Sequence, residues 1–285
     1  MNNKVVACID QSSYSTTVTD YATWAAQRLD APLEFAHVLD RAAQPARRND
    51  LSGNIGLGAR EDLLVQLAAL DEQRGKVAQE GGRLLLDAAR ERAREAGIAT
   101  SEGHQWHGEL VDTLLDLEHD VRLFVLGQRG DAADQAARHL GSNLERVVRA
   151  LHRPILVVPS VFAAPGKIMI AFDASETADK GIALLATSPL FRGLPCHVVM
   201  VGTESGSHRD ALEKARQKLA DNGLVVTVAL LEGDADHVLA DYVRANAIDL
   251  LVMGAYGHSR LRQLIVGSTT TTLLRTTRIP ILLLR

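Results

Sequence analysis

The chain has 285 residues, a length typical of two domains, and 46% of its residues are hydrophobic while 23% are charged. Its formal net charge of -4 at pH 7 excludes a globally positive surface that would attract nucleic acid or an anionic membrane. The sequence contains neither a secretion signal nor an apolar run near the roughly 20 residues of a membrane span. Its two cysteines, Cys8 and Cys196, lie at non-equivalent positions of two strand-like runs. We therefore expect a cytoplasmic protein with two free buried thiols and with neither nucleic acid nor membrane as a partner.

The first half of the chain alternates short apolar runs with helix-compatible stretches. Its strand-like runs are KVVACID (4–10), LEFAHVL (33–39), RLFVLG (122–127) and PILVVP (154–159). Because these runs are nearly continuously apolar, they indicate strands of a parallel sheet that is covered by helices on both faces.

The second half repeats this order. The corresponding runs are KIMIAFD (167–173), CHVVMVG (196–202), DLLVMG (249–254) and PILLLR (280–285). Asp10 and Asp173, each followed by Ser two positions later, are 163 residues apart, whereas Gly127 and Gly254 are 127 apart. The pattern predicts a duplication with domains at 1–160 and 165–285 and about 36 extra residues in the first copy.

The extra residues form an insertion at about 41–80. Its start, 41–62, is rich in Gly, Asn and Arg and predicts a loop, and the remainder predicts a helix with one leucine-lined face. The leucines of that face are Leu63, Leu64, Leu67 and Leu70. The insertion is either a surface excursion that packs through these leucines or a lid, since it leaves from the carboxyl end of a strand, where open α/β sheets bind ligands.

The stretch GAYGHSRLRQLIVGSTTTTLLR at 254–275 has the order of a phosphate-binding loop. Gly254 and Gly257 permit a sharp turn and close approach of a ligand to the backbone, and Gly267-Ser268 then opens a helix. A helix start offers unpaired N–H groups and the positive end of the helix dipole to an anion. The alternative is a turn with ordinary loop glycines and a serine N-cap.

The first half carries an altered copy, GQRGDAADQAARHLGSN at 127–143. Ten residues separate Gly130 from Gly141, where the second half has nine between its corresponding glycines. Asp131 and Asp134 would repel a phosphate unless a divalent cation bridges them, whereas Arg129 would attract it. Whether this half also binds a phosphate stays open.

No enzyme motif accompanies these loops. His104 and His107 are three apart in the strand-like EGHQWHGEL, so their side chains diverge, and no cysteine or carboxylate cluster in the sequence completes a ligand set. We therefore expect no metal site made by the chain.

Through the Gly-x2-Gly-x9-Gly-Ser signature, the two Asp-x-Ser turns and the Pro-led closing strands, the chain resembles a tandem universal stress protein. The resemblance implies an α/β fold of two flavodoxin-like (Rossmann-like) domains. Each would be a mainly parallel five-stranded sheet with helices on both faces. The two would pack as a pseudo-dimer whose final strands, 154–159 and 280–285, pair.

In ATP-binding members of that family, the ends of the first two strands hold the nucleoside and the glycine signature holds the phosphates. The implied nucleoside contacts are Ala171, Phe172, Asp173, Met200 and Val201. The implied phosphate contacts are Met253, Gly254, Tyr256, Gly257, Gly267, Ser268 and Thr269, together with His258, which either touches a phosphate or is an exposed loop residue. A first-half site would use Asp10, Val38, Gly127, Arg129, Gly130, Gly141, Ser142 and Asn143.

The resemblance thus implies a stress-response protein that binds ATP with Mg²⁺ as a sensor or regulator, without fast turnover and without a catalytic residue. The alternatives are a slow ATPase and a nucleotide-free scaffold that acts through protein partners. A homodimer and regulatory protein partners are both compatible with the sequence.

Overall fold

The fold is described from a computed structural model, for residues 4–39, 57–130, 142–255 and 268–285. The elements of the first half are β1 (Lys4–Cys8), α1 (Ser15–Leu29), β2 (Leu33–Leu39), α2 (Leu57–Glu95), β3 (Ser101–His107), α3 (Leu110–Leu117), β4 (Val121–Gly127), α4 (Ser142–Ala150) and β5 (Ile155–Val158). Those of the second half are β6 (Ile168–Ala171), α5 (Glu176–Thr187), β7 (Cys196–Val201), α6 (Gly206–Ala220), β8 (Val226–Leu231), α7 (Ala235–Ala245), β9 (Leu250–Gly254), α8 (Ser268–Thr276) and β10 (Ile281–Leu284). None of the helices in these ranges is both long and apolar enough to cross a membrane.

Within the described residues, ten strands form one continuous sheet in the order β3-β2-β1-β4-β5-β10-β9-β6-β7-β8. Every neighbouring pair is parallel except β5 and β10, which are antiparallel and meet with Leu156 opposite Leu282. Each half therefore contributes a parallel five-stranded sheet with the same internal order, and the final strands join the halves. The expected fold class and the expected pairing of the final strands are confirmed.

Helices cover both faces of the sheet because the strands are apolar on both sides. One core lies between the sheet and α1, α2, α5 and α6, and the other lies between the sheet and α3, α4, α7 and α8. The seam strands are buried along their whole length. Polar contacts reinforce the seam, since Arg28 donates to the carbonyl of Leu190 at 2.6 Å and Arg285 donates to that of Leu151 at 3.2 Å.

The insertion differs from the sequence prediction in where its helix begins and in how its leucine face packs. Helix α2 begins at Leu57, so residues 57–62 are helical and the predicted loop is too long by that much. With 39 residues, α2 is about 58 Å long, and from residue 64 onward, where its side chains are described, only the C-terminal part is packed, through Leu86, Ala89 and Ala93. The described members of the leucine face, Leu64, Leu67 and Leu70, are 46–58% exposed, so the prediction that they pack within the chain is wrong. Packing fails there because that part of the helix has no sheet beneath it.

Candidate functional site

Both halves have a topological switch point at the carboxyl edge of the sheet. In the first half the chain leaves β1 towards β2 and returns on the other side to β4, and in the second half β6 lies between β7 and β9 in the same way. Connections that leave in opposite directions open a crevice at this edge, where open α/β sheets bind ligands. The predicted site residues that the structure describes all belong to strand ends, turns or helix starts around these two crevices.

Asp173 stands on one side of the second crevice, on the turn after β6. Its Oδ1 accepts a hydrogen bond from the backbone N–H of Ser175 at 3.0 Å, and Ser175 in turn caps α5 by accepting from the N–H of Ala178 at 3.2 Å. Ala174 between them adopts a left-handed conformation with φ 55°. The Asp-x-Ser motif therefore fixes the direction of the strand exit and leaves the Asp173 side chain exposed at the crevice.

The other predicted nucleoside contacts divide between the two faces of the sheet. Ala171 and Val201 pack on the side of α7 and α8, together with Met253. Phe172 and Met200 point to the opposite side, towards α5 and α6. Phe172 there lines a cavity of about 410 Å³ between these two helices. A ligand on the α8 side can therefore meet side chains of the first set, and only the backbone of Phe172 and Met200.

Helix α8 begins on the far side of the same crevice. Its first residues follow β9 closely in space, because the Thr270 hydroxyl donates to the carbonyls of Gly254 and Ala255 at 3.4 and 3.5 Å. Thr270 is 3% exposed, and Thr269 beside it is half-buried. Thr270 is not among the residues predicted from the sequence, where the run of four threonines at the start of the helix was the available signal.

Several predicted residues fall outside the described ranges: Tyr256, Gly257, His258, Gly267 and Gly141. For Ser142 and Ser268 the structure gives only the backbone, which places each at the start of a helix, α4 and α8 respectively. Asn143, in the first turn of α4, is exposed, whereas Val38 at the end of β2 and Arg129 after β4 are half-buried.

The first crevice is built more tightly around its acid. Asp10 Oδ1 accepts from the backbone N–H of Ser12 at 3.0 Å and from its hydroxyl at 2.5 Å. A Cβ added to Gly130 would lie 2.9 Å from Asp10 Oδ2, and one added to Gly127 would lie 2.8 Å from Cβ of Tyr14. A side chain at position 127 would therefore clash with Tyr14 where the ends of β1 and β4 converge, and Gly130 lies beside Asp10.

The thiol at the end of β1 lies in an environment that disfavours the thiolate, its nucleophilic form. Burial raises the pKa of Cys8 far above its ordinary value, and the nearby carboxylates of Asp10 and Glu34 raise it further. Cys8 and Cys196 are both free, as predicted. The Cys8 side chain is half-buried, whereas that of Cys196 is buried.

The groups gathered at the two crevices are hydrogen-bonding carboxylates, hydroxyls and helix-start N–H groups. Such a set is suited to binding a polyol and an anion.

The expectation that His104 lacks carboxylate neighbours is wrong. Strand β2 places the buried Glu34 beside it, with His104 Nδ1 and Glu34 Oε1 3.1 Å apart, and Glu102 lies on the same face of β3. The ligand-capable atoms of the three side chains lie within 4.8 Å of one another. Sequence spacing could not reveal this group, since the pairing of β2 with β3 creates it.

The chain is similar to known proteins along its whole length. The model of the universal stress protein family matches residues 1–159 and again 165–285. A universal stress protein of Synechocystis sp. is 38% identical over 284 residues, which cover 99% of both chains. A universal stress protein of Mycobacterium tuberculosis is 27% identical over 158 residues, 55% of this chain and 48% of the relative. Among solved structures, a universal stress protein from Archaeoglobus fulgidus aligns with a TM-score of 0.73 at 16% identity, covering 100% of this chain and 97% of its own.

Proposed function

Since the chain belongs to the universal stress protein family and contains two family domains in tandem, we propose that it binds ATP, as its Mg²⁺ complex, in the crevice between β6 and β9. The observation that carries the proposal is the arrangement of two complementary groups across one switch point. An exposed carboxylate, Asp173, lies on one side, and the N-terminus of α8, tied to β9 through Thr270, lies on the other. We further propose that the two domains span residues 1–160 and 165–285.

The residues present fit the nucleotide. The Asp173 carboxylate accepts hydrogen bonds from ribose hydroxyls or an amino group, and Ala171, Val201 and Met253 offer an apolar surface beside it. Backbone N–H groups at the start of α8 suit the phosphates, helped by the Thr269 hydroxyl and by the glycine loop that includes Gly257 and Gly267. The phosphates would supply oxygen ligands to the Mg²⁺.

The first crevice has the same order of elements, with Asp10 facing Gly130 and with α4 beginning at Ser142. Asp10 Oδ1 accepts both the backbone N–H and the hydroxyl of Ser12, and the glycine spacing of the first half departs from the signature that the second half keeps. We therefore assign the tighter binding to the second half, and we propose a regulatory role without fast turnover for the bound nucleotide.

Thermal unfolding with and without Mg-ATP tests this assignment. Ligand at 100 times its Kd adds about 2.7 kcal/mol to stability, which for a chain of this size raises the melting temperature by roughly 5–10 °C. Asp173→Ala should remove most of this increase and Asp10→Ala much less, while Asp241→Asn, an exposed acid on α7 paired with Arg244, should behave like the parent. An unmoved melting curve at millimolar Mg-ATP contradicts the proposal, as does a full shift in Asp173→Ala. The mass and amount of nucleotide released on denaturing freshly purified protein give its identity and the number bound per chain.

A second candidate function, protein association, is favoured by the exposed part of α2. Its apolar face consists of Leu64, Leu67, Leu70, Val77 and Leu84, which are 46–69% exposed. Leu70, Val77 and Leu84 follow one another at intervals of seven residues, the repeat of a helix–helix seam. The charged residues from 64 to 84 are three acidic and three basic, so this segment has no attraction for an anionic membrane.

We propose that a second copy of the chain covers this face in antiparallel orientation. In an antiparallel copy with Leu70 opposite Leu84, Asp71 lies opposite Arg83 and Arg74 opposite Glu80, so unlike charges meet, whereas a parallel copy in register opposes each charge to itself. The segment 64–84 is about 30 Å long, enough for three heptads.

Light scattering on a sizing column, across a range of concentrations, tests this association. The parent protein should be a dimer and the double variant Leu70→Glu/Val77→Glu a monomer. Val225→Glu, which alters a valine that is 74% exposed outside α2, is the matched control and should stay dimeric. A monomeric parent at about 100 μM, within the concentrations at which weak complexes form, contradicts the proposal, and so does a dimeric double variant.

A further inference from the structure

Glu34 is a buried carboxylate near the start of β2, a strand that is otherwise apolar except for His37. It is 1% exposed, and its neighbours along β2 are Leu33 and Phe35. Burying a carboxylate is unfavourable unless its charge is paired. Its Oε1 lies 3.1 Å from His104 Nδ1, and its Oε2 contacts the Lys4 ammonium without receiving a hydrogen bond of ordinary geometry. The carboxylate is thus anchored at one oxygen and turned towards His104 with the other.

Strand pairing completes a three-residue group around this oxygen. Glu102 stands directly opposite Glu34 in the parallel ladder, and His104 stands two residues further along β3, on the same face. Glu102 is exposed and, in the described part of the chain, its side chain has no hydrogen bond or ion pair. Two residues at i and i+2 on one strand and a third on the adjacent strand are spaced so that their tips converge on one point above the sheet, and the three ligand atoms lie within 4.8 Å of one another.

The second half serves as an internal comparison, since its strands have the same register. Lys167 corresponds to Lys4, while the positions of Glu34, Glu102 and His104 are held by His197, Thr227 and Ala229. There Lys167 donates to the carbonyl of Asn246 at 2.8 Å, and His197 is hydrogen-bonded to the Tyr242 hydroxyl at 2.9 Å. The same sheet therefore forms without a buried carboxylate at this position, and the fold does not explain why the first half has one.

We propose that Glu34, Glu102 and His104 bind a divalent transition-metal ion, with zinc as the ion that fits best. Two carboxylate oxygens and one imidazole nitrogen are a zinc donor set, and three protein ligands leave the fourth tetrahedral position to water. The imidazole disfavours Mg²⁺ and Ca²⁺, which prefer oxygen donors throughout. Closing the ligand atoms from within 4.8 Å to the roughly 3.4 Å separation of a tetrahedral site requires only rotation of the exposed Glu102 and His104 side chains.

Binding changes the hydrogen bonding of the group in a defined way. Glu34 Oε1 would bind the metal in place of the His104 N–H. Its Oε2 would keep its contact with the Lys4 ammonium, which orients the carboxylate from outside the ligand set. His104 Nδ1 becomes the metal ligand, so in the neutral ring the proton moves to Nε2. The two carboxylates and Lys4 carry a net charge of about -1, which the divalent ion reverses.

Titration with Zn²⁺ by calorimetry and with Cu²⁺ by tryptophan fluorescence tests the site. Trp106 is one of two tryptophans and its ring lies 6.0 Å from that of His104, so bound Cu²⁺ should quench the emission of Trp106. We expect one Zn²⁺ per chain. His104→Ala and Glu102→Gln, both at exposed positions that the fold tolerates, should weaken binding at least about tenfold, the range reported for changes around metal ligands.

Two controls keep the result specific. His107→Ala removes a histidine from the same strand outside the group, and Asp236→Asn disrupts the other ligand-capable cluster of the described residues, Asp234, Asp236 and His237. Both should bind Zn²⁺ like the parent. The proposal is overturned if the parent does not bind Zn²⁺ at 100-fold excess over micromolar protein, if His104→Ala and Glu102→Gln retain parental affinity, or if Asp236→Asn abolishes binding.

Discussion

Replacing Gly82 by alanine tests how closely α2 approaches the ends of β2 and β3. A Cβ at this position would lie 2.4 Å from Gln105 Nε2 and 2.6 Å from His37 Cδ2. The amide tip of Gln105 can rotate away, but the His37 ring is 5% exposed and its Nδ1 donates to the carbonyl of Ile9 at 2.9 Å. The added methyl group therefore pushes the helix from the sheet or breaks that hydrogen bond.

The magnitude follows from two opposing effects. Overpacking a buried contact costs about 1–3 kcal/mol, whereas exchanging Gly for Ala in a helix interior gains about 1 kcal/mol. We therefore expect Gly82→Ala to lower the free energy of unfolding by about 1 kcal/mol, with an upper end near 2 kcal/mol. Urea unfolding followed by circular dichroism measures this change, provided that the unfolding free energy depends on urea concentration with the same slope in the variant and the parent.

Gly75→Ala is the matched control on the same helix, because no atom lies within 4 Å of its added Cβ. It should leave stability unchanged or raise it by up to about 1 kcal/mol. If Gly82→Ala proves as stable as Gly75→Ala, the close approach of α2 to His37 is refuted.

Three further outcomes follow from individual side chains. Burial is the main reason that the pKa of His197 is lowered, so stability that is present above the ordinary pKa of about 6.5 is lost as the pH falls through the lower folded value. The midpoint of urea unfolding should therefore fall more steeply from pH 7 to 5 in the parent than in His197→Gln, and an equal fall in both proteins would contradict this. Burial raises the pKa of Cys196 to about 12 and that of Cys8 as well, so a disulfide reagent at pH 8 should label both slowly until urea is added; rapid native labelling of either would show an open site. The Ser205 hydroxyl caps α6 by accepting a hydrogen bond from the N–H of His208 at 3.2 Å, and Ser205→Ala should lower the free energy of unfolding by about 1 kcal/mol in thermal or urea unfolding. An unchanged free energy of unfolding in this variant would contradict the role of the cap.

Local patterns in the sequence were sufficient for the repeated units. Continuous apolar runs such as KVVACID and KIMIAFD, each ended by Asp-x-Ser, predicted the strands and the duplication, because burial on both faces imposes composition on each strand separately. The joining of β5 to β10 came from family resemblance rather than from the runs themselves, and the structure confirms it.

The faces on which side chains lie were harder to predict. Phe172 and Met200 alternate with Ala171 and Val201 along their strands, so the period of two divides them correctly. No residue of either strand, however, tells which face borders the crevice; that depends on where α8 begins and on its tie through Thr270.

By itself, the sequence determined the strands, the duplication and the glycine signature, because each is a local requirement of backbone conformation or burial. Only the tertiary structure decided which groups meet. Glu34 and His104 come together because β2 pairs with β3 in one register, across an intervening insertion whose length the pairing does not constrain. The leucine face of α2 remains exposed because the sheet ends before the helix does. An amphipathic pattern predicts that one face of a helix is buried, but it does not identify the surface that buries it.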